Sequence, residues 1–122
     1  MDAIYVGIDV SKDRLDVHVR PSGEAFAVAR DGKGLEDLVR RLQACSPTLV
    51  AVEATGGFET IVAAALAGAQ LPLVVINPAQ VRHFAQAIGQ RAKSDPIDAA
   101  VIARFVEAVK PALRPVPNQQ AR

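Results

Sequence analysis

The chain has 122 residues, enough to close one hydrophobic core without disulfides and too few for a second domain. Half of the residues are apolar and under a quarter are charged, an ordinary globular composition for which disorder is not the default reading. Fourteen basic and thirteen acidic residues leave a formal charge of +1 and a pI of about 7.9. Bulk charge therefore does not announce a nucleic-acid binder, and any such role must come from local patterning.

The N-terminus, MDAIYVGID, lacks a basic region followed by a hydrophobic signal core, and no apolar run approaches membrane-spanning length. A cytoplasmic protein with no membrane attachment is expected. The single cysteine, Cys45, closes an amphipathic segment; it forms no internal disulfide and reads as buried packing.

Residues 4 to 9, Ile-Tyr-Val-Gly-Ile-Asp, form a nearly continuous apolar run ending in an acid, as in a central strand covered on both faces. Val10 to Asp13 reads as a tight turn. Leu15, Val17 and Val19 then alternate with Asp16, His18 and Arg20, predicting an antiparallel return with one wetter face. Pro21-Ser22-Gly23 supplies turn chemistry before a third strand from Glu24 to Arg30.

Asp31-Gly32-Lys33-Gly34 breaks the strand pattern, and Leu35, Leu38, Val39 and Leu42 recur with helical spacing until Ser46-Pro47. Leu49 to Glu53 repeats the first strand's signature, an apolar run that delivers a carboxylate at its end, and a loop Ala54-Thr55-Gly56-Gly57 follows. Phe58 to Ala67 is Ala-rich and helical, with Gly68 closing it. Leu73 to Ile76 reads as another buried strand, and Asn77 is placed to cap a helix carrying Val81, Phe84, Ala85 and Ile88 on one face as far as Gly89.

After a short basic connector comes Lys93-Ser94-Asp95-Pro96-Ile97-Asp98, opening an apolar helix that runs to about Lys110. Asp95, Asp98, Ile102, Phe105, Val106 and Val109 project from one side of that helix. Two readings of the acids compete. Asp95 before Pro96 suits an N-cap, with Asp98 favoured by the helix dipole, and these residues alone favour that cap. Carboxylates on a core-facing stripe also suit a bound cation. Residues 111–122, with Pro111, Pro115 and Pro117, read as a tail or as a linker to a further C-terminal domain, leaving residues 1–110 as the folded unit.

The predicted order is three strands in a meander, then helix, strand, helix, strand, helix, helix. It yields an α/β fold with a mixed five-stranded sheet and helices on both faces, the order of the ribonuclease H-like fold. In such sheets, sites form outside the carboxyl ends of strands, where Asp9 and Glu53 are placed independently of the helix argument. Each acid alone is equally well a loop cap; their joint placement with Asp95 and Asp98 favours a shared site. Four carboxylates suit two Mg²⁺ or Mn²⁺ ions about 3.5–4 Å apart, the arrangement that activates an attacking oxygen and stabilises a leaving one in phosphoryl transfer.

Lys12 and Lys93 flank the acids, and Arg82, His83, Arg91 and Lys93 fall in an acid-free run from Asn77 to Ser94. Lys12, Arg82, Arg91 and Lys93 are the candidate contacts to a nucleic-acid backbone, against the plainer reading of a solvated surface. His18 and His83 have no ligand-spaced partner and are set aside.

Four stretches in order, Tyr5 to Lys12 with Leu15-Asp16-Val17, Val52 to Glu59, Ile76-Asn77-Pro78, and Ala92 to Ala99, resemble the landmarks of the DEDD-type transposases of bacterial insertion sequences, also described as bridge-RNA-guided recombinases. The resemblance runs from about Tyr5 to the proline-rich tail. It implies a RuvC-like ribonuclease H fold with Asp9, Glu53, Asp95 and Asp98 as catalytic, metal-binding acids. It further implies action on DNA in transposition, a structured guide RNA and a homo-oligomer of the full-length protein. Family members carry a C-terminal domain with a catalytic serine, and no stretch here matches it; Ser11, Ser22, Ser46 and Ser94 lie in no such motif. Two other readings keep the fold: a nucleotide-binding domain of the actin and sugar-kinase type, whose second Gly-rich hairpin has no counterpart here, and a noncatalytic RNA-binding assembly module.

Overall fold

A computed structural model describes residues 3–54, 56–89 and 98–111. Five strands, β1 (Tyr5–Val10), β2 (Arg14–Arg20), β3 (Ala25–Ala29), β4 (Leu49–Glu53) and β5 (Leu73–Ile76), form one sheet in the order β3-β2-β1-β4-β5. β2 runs antiparallel to both β1 and β3, whereas β1–β4 and β4–β5 are parallel. This is the mixed, ribonuclease H-like sheet expected from the sequence. The four helices are α1 (Gly32–Cys45), α2 (Glu59–Gly68), α3 (Pro78–Ala87) and α4 (Ala99–Val109).

Each sheet face has its own core. Val6, Ile8, Leu15, Val17, Val50 and Val52 pack with Leu38 and Leu42 of α1 and Val62 and Leu66 of α2. On the opposite face Tyr5, Leu49, Ala51, Val74 and Ile76 pack with Val81 and Ala85 of α3 and Ile102, Phe105 and Val106 of α4. Strand side chains alternate between faces, so β1 and β4, at the centre, are apolar in both registers. An edge-to-face contact between Phe84 and Phe105, centroids 5.6 Å apart, joins α3 to α4.

The close approach of α4 to β1 positions the rest of this face. A β-carbon on Gly7 would lie 2.4 Å from the Ala103 nitrogen and 2.5 Å from the Ala99 carbonyl oxygen. Only a residue without a side chain lets the helix backbone sit there, and Ala99 and Ala103 supply small partners. The N-terminus of α4 is thereby held at the carboxyl end of β1.

Several boundaries differ from the sequence reading for local reasons. The β1–β2 turn is Ser11 to Arg14, closed by the Ser11 backbone N–H and Oγ, which both donate to the Arg14 carbonyl oxygen. α1 begins at Gly32, inside the stretch read as a break, because Asp31 accepts from the Gly34 N–H at 2.8 Å and caps it. Phe58 precedes α2 and is exposed. Val75 is 51% exposed, correcting the buried reading of β5 at this position, because β5 is the edge strand of the sheet.

Ile88 lies beyond the last turn of α3 and Val109 at the end of α4, so both are exposed. Cys45 is half-buried. The tail expected over residues 111–122 lies outside the described residues except for Pro111. Among the described residues no helix is long and apolar enough to cross a membrane.

Gly7→Ala is expected to destabilise the protein by the upper part of the ~1–3 kcal/mol typical of overpacking, because the obstruction is backbone. Gly32→Ala, with nothing within 4 Å of the added carbon, is the control and should lie within about 1 kcal/mol of wild type. Thermal denaturation of the two variants checks the difference, and equal melting temperatures would contradict the close-packing account.

Candidate carboxylate site and relation to known proteins

Asp9 follows Tyr5 and Gly7 on the α4-facing register of β1, and Glu53 follows Leu49 and Ala51 on the same register of β4. The parallel pairing runs to Ile8 opposite Val52, so Asp9 and Glu53 stand side by side one step later. Asp98 immediately precedes Ala99, the residue packed over Gly7. It is the N-cap of α4, its Oδ1 accepting from the Val101 N–H at 3.0 Å. The sequence reading started this helix at Asp95; it starts three residues later, and Asp98 has the capping role proposed for Asp95. Asp95 itself lies outside the described residues.

Another acid joins Asp9, Glu53 and Asp98. Asp16 is directly opposite Asp9 in the β1–β2 register, on the same face of the sheet. Arg14, two residues earlier on β2, forms an ion pair with it. Asp9, Asp16 and Asp98 line an open groove of about 460 Å³ whose floor continues across His18 to Ala25 and Ala27 on β3.

The electrostatics are strained in one direction. Burial pushes the Asp9 carboxyl above its ordinary value, and the neighbouring charges of Asp16 and Asp98 push it further. Burial likewise raises Glu53, the charge of Asp9 adds to this, and Arg82 on α3 partly offsets it. Glu53 is only 7% exposed, and its Oε2 has no hydrogen-bond partner among the described residues. A buried carboxylate oxygen without a donor is costly unless a cation or a proton compensates it.

The donor set is therefore hard, oxygen-rich and electron-rich, which fits Mg²⁺ or Mn²⁺. Among the described residues no three of these groups already form a compact coordinating cluster. Of the expected cationic residues, Lys12 is exposed in the β1–β2 turn and Arg82 is exposed on α3, while Arg91 and Lys93 lie outside the described residues. Thr55, in the loop after Glu53, lies outside them too.

The sheet order and the helices on both faces define a ribonuclease H-like fold. The similar solved structures agree. RuvC from T. thermophilus, in a structure with a Holliday junction substrate, is 17% identical with a TM-score of 0.56, covering 88% of this chain and 96% of that one. Inorganic polyphosphate/ATP-glucomannokinase from Arthrobacter sp. strain KM is 18% identical with a TM-score of 0.52, covering 76% of this chain and 51% of its own. The ROK hexokinase from Thermus thermophilus is 11% identical with a TM-score of 0.51, covering 75% and 39%. These likenesses are of fold. A search of curated proteins returns no match. The family model for IS110-type DEDD transposases, described as "Transposase", matches residues 6–122, and the chain belongs to that family.

Because both shifted carboxyls are raised on folding, the folded state binds more protons than the unfolded state just above the ordinary carboxylate range, whose values here are 3.8 and 4.5. Without metal, stability from these groups is highest below that range and is lost as pH rises through the raised values. Glu53→Gln should flatten this fall and raise the metal-free melting temperature at pH 7. Denaturation scans at pH 5 and pH 7 read both effects; a wild type that gains stability over this interval through these groups would contradict them.

Proposed function

We propose that this transposase domain cleaves DNA strands with divalent metal held by Asp9, Glu53, Asp98 and, from outside the described residues, Asp95. The observation that carries the reading is the buried Oε2 of Glu53, which has no hydrogen-bond partner among the described residues, beside Asp9. When bound, Mg²⁺ or Mn²⁺ would supply the Lewis acid that polarises a phosphate and makes an attacking oxygen available at neutral pH.

The chain's own residues do the rest. β1 and β4 fix two carboxylates side by side, the Asp98 cap ties a third to the helix packed on Gly7, and Arg14 draws off part of the charge of Asp16. The open groove toward Ala25 and Ala27 gives a strand room to reach these acids. Lys12, Arg82, Arg91 and Lys93 supply positive charge for the backbone in a chain whose net charge is close to zero.

RNA guidance, assembly into a homo-oligomer and a linker role for residues 111–122 belong to the same proposal and rest on the family. Strand transfer through a serine would need a nucleophile beyond the motifs present here. The sugar-kinase likeness is one of fold, and family membership favours the transposase reading over it.

Mg²⁺ or Mn²⁺ is expected to raise the melting temperature of the protein, by about 2.7 kcal/mol of stability at a hundred times Kd, and Asp9→Asn should blunt the response. An undiminished response after substitution of all the acids would remove the shared site.

DNA binding is expected to be weak and salt-sensitive. Neutralising Arg82, Arg91 and Lys93 together should lower affinity and reduce the slope of log K against log salt by about 2 to 3. An unchanged slope would place the interface elsewhere.

A further inference from the structure

The ring of Phe58 is an exposed aromatic that neither sheet core uses. It is 42% exposed and lies just before α2, after a turn in which Gly56 and Gly57 both adopt positive φ (78° and 117°). The ring is nevertheless held. The guanidinium of Arg30 lies over it, 4.8 Å from the centroid, within the range of a cation–π contact. Arg30 is fixed in turn, since its Nε donates to the Lys12 carbonyl oxygen at 2.8 Å and its backbone N–H to the Asp13 carbonyl oxygen at 3.1 Å.

The location of this stack is specific. Lys12 and Asp13 belong to the turn that follows Asp9, and Phe58 belongs to the loop that follows Glu53. The ring and its arginine therefore join the two loops leaving the strands that deliver those carboxylates. A flat apolar ring, oriented beforehand and braced by Arg30, has the chemistry that receives a nucleobase: a π-face to stack on, with a cation for the adjoining phosphate. A paired base has both faces covered by its neighbours in the helix, so the fit is to an unpaired one.

We propose that Phe58, braced by Arg30, is a stacking platform for an unpaired DNA base next to the phosphate presented to the carboxylates. The assignment rests on the cleavage reading above for its choice of DNA. It adds a determinant of substrate structure: the domain distinguishes DNA with a displaced base from continuous duplex.

The test measures binding of the chain, by fluorescence anisotropy, to a labelled duplex with a single-stranded flap, to the same flap with abasic positions, and to the fully paired duplex. Phe58→Leu should weaken flap binding about 5- to 150-fold, the span for one stacked base, while leaving the paired duplex unchanged. It should also abolish the preference of wild type for the native flap over the abasic one, and Phe58→Tyr should restore that preference. In Phe58→Trp the indole emission should be quenched by the native flap and not by the abasic flap, a readout independent of whether the leucine variant folds well.

Equal affinities of wild type and Phe58→Leu, an equal loss on all three DNAs, or a Phe58-dependent preference seen only with RNA of the same sequence would each overturn the proposal. So would a loss of self-association in Phe58→Leu with flap binding intact, which would make the ring a protein contact. The metal-induced rise in melting temperature separates this idea from the cleavage reading. A normal rise without base preference sinks the platform alone; base preference without any rise upholds the platform and sinks the metal-dependent cleavage.

Discussion

The contact between Gly7 and the backbone of α4 is the constraint on which the other features of the domain depend. A helix crossing a sheet normally rests on a layer of side chains; here one missing side chain on β1 lets Ala99 and Ala103 come down onto the strand. This proximity fixes the helix along its axis as well as in height. Asp98 then falls at the end of β1 where Asp9 stands, and the parallel pairing of β1 with β4 brings Glu53 to the same place. Small residues at the centre of the fold thus determine the position of charged residues at its rim.

That placement works against stability. Asp9 and Glu53 are both raised in pKa by burial and by like charge, and one oxygen of Glu53 is buried with no donor among the described residues. Apolar residues at these positions would satisfy the sheet better. Strain of this sort persists where a ligand relieves it, and a cation would relieve this repulsion. Asp16, itself ion-paired with Arg14, adds to the repulsion from the β2 side. Because Arg14 is exposed, the pair is a modest contributor to folding.

Much of this was legible in the residues, and the exceptions are instructive. Runs such as Val-Gly-Ile-Asp and Leu-Val-Ala-Val-Glu identify buried strands with acids at their ends because burial on both faces leaves no alternation to misread. Asp16 joins the acids for a reason of register. A turn at Val10 to Asp13 puts Arg14 opposite Asp9, whereas the observed turn, Ser11 to Arg14, puts Asp16 there. The later start of α4 has a similar origin, since Asp95-Pro96 and Asp98 both carry good capping chemistry and sequence spacing does not rank them. Phe58 looked like the first residue of a helix; its exposure and its arginine partner arise from the glycine turn before it, which no periodicity reports. The exposure of Val75 follows from β5 being an edge strand, a property of the sheet order as a whole.

The most direct measurement of whether the acids act as one metal site is a titration with paramagnetic Mn²⁺, followed through the ¹³C carboxyl signals of the aspartate and glutamate side chains. The account predicts that the signals of Asp9, Glu53 and Asp98 broaden first and together, while those of Asp37 and Glu107, each paired with an arginine elsewhere on the surface, stay sharp at the same metal concentration. Sharp Asp9 and Glu53 signals at concentrations that broaden Asp37 or Glu107 would contradict it.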